Sequence, residues 1–375
     1  MKCSWQVYSL LLCGSVMIGC GESTDSTVSD SAPGAAPATA AAPAEAAPSD
    51  PLLEGIEFED PEEFPKALSA YEAAPTDVAA VEKYAQVLLS MAWAHAQGGN
   101  AELSNEAITR AGKVILKANS DGVPLPVAPE SMLQAEILFG YACVQSSEKK
   151  GAESLATLKA AVNSGFSNLG LLKTDKDLEF TRTQPEFETQ IAEWEAAHEA
   201  EVVASAKADL QKGETFPFDF QLTDVNGKTI RLSDYKLGVS RHPEGQICVV
   251  DIWGTWCPPC RQEVPMFIKL QEKYGKFGLQ MIGLNDERGL SPEANISTVK
   301  NFMANTSMNY PCAMITPEVM EQVPEFKGFP TTLFIDHHGK VRHMAFGFHE
   351  YKYMETIVET LLSERTREAR SAATN

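Results

Sequence analysis

Positive charge is scarce in this chain. Its 375 residues hold 31 Lys and Arg against 51 Asp and Glu, a formal net charge of −20. Such a surface repels a phosphate backbone, which sets nucleic acid aside as the main partner. Long hydrophobic runs are scarce too. No stretch reaches the roughly 18 uninterrupted apolar residues of a bilayer-spanning helix, so membrane attachment has to come from the beginning of the chain. Cysteine numbers eight. Cys143, Cys248 and Cys312 do not supply the second close pair that a structural zinc site needs, so neither a metal nor another cofactor is expected. Gly at 25 and Pro at 22 stay near ordinary globular usage, and 44% of the residues are hydrophobic. A collagen-like or wholly disordered chain is excluded, and the length suits roughly two to three domains.

Charge is spread unevenly: residues 1–212 carry 14 basic and 31 acidic side chains, and residues 213–375 carry 17 and 20. Two modules with different surfaces follow, the acidic one reading as a solvated face. The chain opens with Lys2 and an apolar stretch over 7–18, an export signal by its length. Its end, Val16-Met17-Ile18-Gly19-Cys20, resembles the lipobox of bacterial lipoproteins, which implies cleavage after residue 19 and a lipid anchor on Cys20. Residues 21–60, rich in Ala, Pro, Ser and Thr (Pro33, Pro37, Pro43, Pro48), bury too little apolar surface to order and read as a disordered tether.

Residues 61–211 show helical periodicity with little strand alternation. Val78, Val81, Ala85, Leu88 and Ala92 share one face; Leu103, Ala107, Ala111, Val114 and Ala118 share another; Leu133, Ile137, Gly140, Tyr141 and Val144 a third. Further helices carry Ala152, Leu155, Ala156 and Val162, then Phe187, Ile191, Trp194 and His198. Gly98-Gly99 and Pro124, Pro126 and Pro129 break the pattern. Paired helices are the natural packing. Gly140 followed by Ala152 resembles one tetratricopeptide repeat, but helix starts near 76 and 129 do not give a regular array. This unit is expected to bind a protein partner or to act as a spacer, and His95 and His198 read as structural.

After Lys212 short apolar runs alternate with helical stretches. Strands are expected over 247–253, 279–284 and 332–336 and helices over 259–274, 293–305 and 350–363, an α/β pattern, with a flexible tail over 366–375. The first strand runs into Gly254-Thr255-Trp256-Cys257-Pro258-Pro259-Cys260. A cysteine at a strand-to-helix junction meets unpaired N–H groups and the positive end of the helix dipole, both of which favour the thiolate. Cys257 is therefore the candidate nucleophile. Cys260, one turn on, is placed to resolve a mixed disulfide. Pro258 and Pro259 suit a first helical turn, where their missing donors cost nothing.

These residues resemble those of the TlpA/ResA-type thioredoxin-like proteins, exported bacterial disulfide oxidoreductases, over residues 213–362. Pro217-Phe218-Asp219-Phe220 with Leu222, Asp224, Gly227 and Leu232-Ser233-Asp234 resembles their leading hairpin; Trp253 to Cys260 is their active-site stretch; Pro265 and Gly328-Phe329-Pro330-Thr331 fall where they carry a helix proline and a cis-proline. The resemblance implies an α/β thioredoxin-like domain over 212–365, a catalytic Cys257/Cys260 pair that acts on the disulfides of client proteins, and a substrate face of Trp256, Pro258, Phe329, cis-Pro330 and Thr331. It points to reduction of clients of the cytochrome c maturation type, in a periplasm-like space. It also implies proton transfer by Asp251 or Glu263, for which burial would raise the pKa.

Several features depart from the family. The connection over 236–246 is longer than usual, and Cys248 and Cys312 are extra thiols that read as small buried hydrophobes. Asp336-His337-His338-Gly339-Lys340 reads as a hairpin turn rather than a copper site. Peroxiredoxins share the leading hairpin but need a Thr or Ser and a Pro where this chain has Gly254 and Val250, which disfavours a peroxidase. A non-enzymatic alternative remains, a binding module or a copper carrier through Cys257 and Cys260.

Overall fold

The computed structural model describes residues 50–374 apart from 57–59, 61, 214 and 290. The leader, Cys20 and most of the Ala/Pro-rich stretch lie outside them. The described part divides into two compact units at Glu195/Ala196.

The first unit is all helical: α1 (Glu63–Ala73), α2 (Val78–Gln97), α3 (Ala101–Ser120), α4 (Leu133–Ser147), α5 (Gly151–Asn163), α6 (Leu169–Thr174) and the start of α7 (Phe187–Lys212). Asp77 and Asn100 cap α2 and α3 by accepting from the N–H groups of Ala80 and Leu103. The expected faces are those that pack: Val81, Ala85, Leu88 and Ala92 meet Ala107, Ala111, Val114, Ile137 and Leu158 in one core. Helices α2 and α3 form one pair, α4 and α5 the next. The two pairs share a tie. Ser104 Oγ donates to the Ala92 carbonyl and Ser154 Oγ to the Ala142 carbonyl, each at 2.8 Å across 12 residues. Gly112 lets the second pair close in, since a β-carbon there would overlap the Tyr141 ring. His95 is a core histidine whose Nε2 meets the Leu52 carbonyl at 2.9 Å.

The second unit takes in the rest of α7, then a short hairpin, β1 (Gln221–Thr223) and β2 (Thr229–Arg231), followed by β3 (Ile247–Trp253), α8 (Pro258–Tyr274), β4 (Leu279–Asn285), α9 (Pro292–Thr306), β5 (Cys312–Met314), α10 (Pro317–Met320), β6 (Thr331–Ile335), β7 (Val341–Phe346) and α11 (Tyr351–Thr374). The main sheet has the order β5-β4-β3-β6-β7. Strand β3 is central, parallel to β4 and antiparallel to β6, and every one of its residues is buried. One face of the sheet packs Ile247 and Val249 against Phe267 and Leu270 of α8 and Met354, Ile357 and Leu361 of α11. The other packs Val250 and Ile252 against Phe218, Phe220 and Ile230. Among the described residues no helix is long and apolar enough to cross a membrane.

Three expected boundaries move. The tether does not extend to residue 60: Leu52 is wholly buried in the helical core, and Asp50 accepts from its N–H at 3.0 Å. The units do not divide at 211/212, because Ala206 and Leu210 of α7 already belong to the second core. Residues 366–374 are not a loose tail but the last turns of α11, a stretch with no Gly or Pro to stop it.

Candidate functional site

Strand β3 ends at Trp253, and the chain turns at once into α8. Gly254 permits the turn: a β-carbon there would lie 2.5 Å from Trp256 Nε1 and 2.9 Å from the Asp286 carbonyl. Cys257 is the N-cap of α8, Pro258 and Pro259 fill its first turn, and the Cys260 N–H points at Cys257 Sγ at 3.3 Å. The cysteines are joined as a disulfide with a Cα–Cα distance of 5.3 Å. Both are buried, Cys260 completely, in an apolar shell of Val225, Trp253, Val264, Val299 and Cys312. Pro265 lies inside α8 and removes one donor from its ladder.

Below the pair sit two carboxyl groups. Asp251 occupies the middle of β3, opposite Gly283 and Thr332, and neither of its oxygens has a hydrogen-bond partner. Burial, and then the charge of Glu263, push its pKa far above the usual carboxylate range. Glu263 lies one turn beyond Cys260 on the sheet-facing side of α8 and is wholly enclosed. Its Oε1 accepts from the His349 N–H at 2.8 Å, while Oε2 has no partner. Burial raises its pKa to about 8, with the His349 hydrogen bond pulling the other way. Tyr310, also enclosed and with an unpaired hydroxyl, is held well above its ordinary pKa by burial and by both acids.

The rim comes from three loops. The Phe329–Pro330 peptide is cis. It leads directly into β6, whose Thr331 pairs with Ile252 beside the end of β3, so this loop lies next to the start of α8. Trp256 is half-buried, with its Nε1 donating to the Asp286 carbonyl at 2.8 Å, and its ring meets Phe329 edge-on at 5.2 Å. The Arg288 guanidinium lies 3.3 Å over the same indole, and Thr255 Oγ1 donates to Glu287 at 2.7 Å.

Comparison with known proteins places this geometry. A family model described as the AhpC/TSA family matches residues 213–344. A thiol-disulfide oxidoreductase ResA of Bacillus subtilis (strain 168) is 30% identical over 145 residues, 39% of this chain and 73% of that protein. Another, of Bacillus thuringiensis (strain Al Hakam), is 30% identical over 155 residues, 41% of this chain and 81% of that protein. The chain belongs to the ResA thiol-disulfide oxidoreductase family. A solved thioredoxin-family thiol:disulfide interchange protein from Chlorobium tepidum TLS is 27% identical over 40% of this chain and 98% of its own, with a TM-score of 0.34. Family membership makes the protein a thiol-disulfide oxidoreductase, and the sheet order β5-β4-β3-β6-β7 with α8 and α11 packed on one face makes its second unit thioredoxin-like.

Of the residues singled out from the ResA resemblance, Cys257, Cys260, Asp251 and Glu263 come together on one side of the central strand. Trp256, Phe329 and the exposed Pro258 lie at the rim. Pro330 and Thr331 are buried, and the Thr331 hydroxyl donates to the Gly328 carbonyl at 2.7 Å, which holds the cis-proline loop. Sequence reasoning missed Tyr310, Arg288 and Glu287, the partner of Thr255, none of which stands at a motif spacing from the cysteines. Cys248 and Cys312 are buried thiols. Burial pushes Cys312 up to about 12 and Cys248 further, so both stay protonated and act as core side chains.

Proposed function

We propose that this oxidoreductase is an exported, membrane-tethered reductant of client-protein disulfides, of the cytochrome c maturation type. The observation that carries the direction is the setting of the dithiol. A strong oxidant of this class is one whose reduced form is stabilised, chiefly through its thiolate. Here the pair sits in apolar surroundings with two acids of raised pKa nearby, and the α8 N-terminus is what favours a thiolate among the described residues that touch it. Little then offsets the tendency of the dithiol to give up its electrons.

In the forward direction the Cys257 thiolate attacks one client sulfur, forms a mixed disulfide and releases the other client sulfur as a thiolate. Cys260 then loses its proton to the carboxylate below, attacks Cys257 Sγ and expels the second client thiolate. The client gains two electrons and the enzyme is left as the disulfide. Recharging by an electron donor runs the steps backwards, and the protonated Glu263 of the disulfide form supplies the proton that the departing Cys260 sulfur needs. A client strand lies along the cis-proline loop. The Pro330 carbonyl already accepts from the Gly347 N–H at 2.9 Å, so the backbone left for pairing is mainly that of Phe329.

The equilibrium reduction potential of the Cys257/Cys260 pair, measured in dithiothreitol or glutathione buffers with thiol alkylation, is expected near the thioredoxin value of about −270 mV. A value near about −120 mV sinks the reductant reading. For the tether, Cys20→Ala is expected to move the protein from the membrane fraction to the soluble fraction of cells that express it. Unchanged partition removes Cys20 as the anchor.

A further inference from the structure

The turn between β6 and β7 carries two adjacent histidines that the disulfide chemistry does not use. Asp336 fixes the turn, its side chain accepting from the N–H groups of His338 and Lys340 at 3.0 Å each. The long 236–246 connection braces His337. The Leu237 N–H donates to the His337 carbonyl at 2.7 Å, and Gly245 passes so close that a β-carbon there would lie 3.1 Å from His337 Cβ. His337 is therefore positioned by the fold, and the His338 ring lies against it with ring centroids 4.0 Å apart. Facing them, the last turns of α11 present Glu368, whose Oε2 lies 3.2 Å from His337 Nε2 and 3.1 Å from His338 Nε2.

We propose that His337, His338 and Glu368 bind a divalent transition-metal ion of the zinc class. One ligand atom from each residue falls within 4.8 Å of the others. Two imidazole nitrogens with one carboxylate oxygen suit zinc, copper or nickel and not the oxygen-seeking calcium or magnesium. The nitrogen-to-oxygen separations of 3.1 and 3.2 Å approach the edge of about 3.3 Å that a tetrahedron with bonds of about 2.0 Å requires. His338 Nε2 lies 3.1 Å from Oε1 as well, so the Glu368 carboxylate is turned toward both imidazoles. The His337 side chain is 7% exposed, His338 40% and Glu368 53%, so one ligand is rooted in the fold and the remaining positions open to water.

A bound ion ties α11 to the turn, and through His337 to the 236–246 connection. This gives a role both to the insertion and to the helical end of the chain. His337 Nδ1 has no hydrogen-bond partner, so the ring lacks the outer support found in tight sites, which weakens the affinity by about 10- to 100-fold relative to such sites.

The test is calorimetric titration of the full chain with zinc sulfate. The protein is held in its disulfide form with accessible thiols alkylated, so that no cysteine competes. One ion per chain is expected, with affinity weakened about 30-fold or more by Glu368→Gln and by His338→Gln, both solvent-facing replacements that leave the turn intact. Saturating zinc is expected to raise the unfolding midpoint of the parent chain by several degrees and to leave both variants unmoved. Absence of binding, or binding that neither replacement weakens, overturns the site.

Discussion

Cys260→Ser is expected to halt turnover and leave Cys257 locked to its clients. The expectation follows from the two-step chemistry. The first step needs only the Cys257 sulfur at the head of α8. The second needs an internal thiol one turn away, where the disulfide already shows the two sulfurs within bonding reach. An intramolecular thiol acts at an effective concentration of about 10⁵ M or more, whereas an external thiol at millimolar levels replaces it poorly, so steady-state reduction of a model disulfide falls by about 10³-fold or more. Intact-mass analysis of the Cys260→Ser protein recovered from cells is expected to show adducts that dithiothreitol removes. Cys257→Ser, which leaves Cys260 wholly buried, is expected to lose both turnover and adducts. Retained turnover in Cys260→Ser, or adducts surviving in Cys257→Ser, assigns the two roles wrongly.

Much of this site is legible in the sequence because its parts are local. Cys257, Pro258, Pro259 and Cys260 fall within one helical turn, and a strand of seven buried residues leads into them. Period and punctuation sufficed there. Asp251 and Glu263 are legible as positions, but their state is not: it depends on β3 and α8 closing over both carboxyl groups without giving Asp251 any donor. Tyr310 and Arg288 reach the site through tertiary packing alone, and no spacing announces them. The same holds for the His337-His338 turn. It reads as an ordinary hairpin until α11 brings Glu368 across from it, 30 residues further on. The first unit shows the reverse case. Its helix faces are plain in the sequence, whereas the paired Ser104 and Ser154 ties, which mark the two helix pairs as copies of one arrangement, become visible only when each hydroxyl is seen on the carbonyl of the preceding helix.

Glu263→Gln is expected to stabilise the disulfide form of the second unit and to slow its chemistry. The Glu263 carboxyl has its pKa raised to about 8 in the folded state, from an ordinary value of 4.5. The folded state therefore holds this proton more tightly than the unfolded chain does. The resulting stability is complete below pH 4.5 and is lost progressively as pH rises through about 8. By pH 7 the unfolded chain has released the proton and the folded one still retains it, a difference of roughly 3 kcal/mol against the protein at low pH. Gln keeps the shape and still accepts from the His349 N–H through its oxygen, but it carries no charge to desolvate. Unfolding free energies of the full chain, read as amide exchange in β3 at a series of pH values, are expected to converge for the two proteins near pH 4 and to separate in favour of Gln by pH 8. Activity is expected to move the other way. Reduction of the Cys257–Cys260 disulfide by dithiothreitol, corrected for the thiolate content of the reagent, slows above about pH 8 in the parent as Glu263 loses its proton. In Glu263→Gln it is slower by roughly 100-fold and flat with pH, because an amide donates no proton to the departing sulfur. A parallel pH profile in both proteins assigns the proton to Asp251 instead, the other unpaired acid beneath the disulfide.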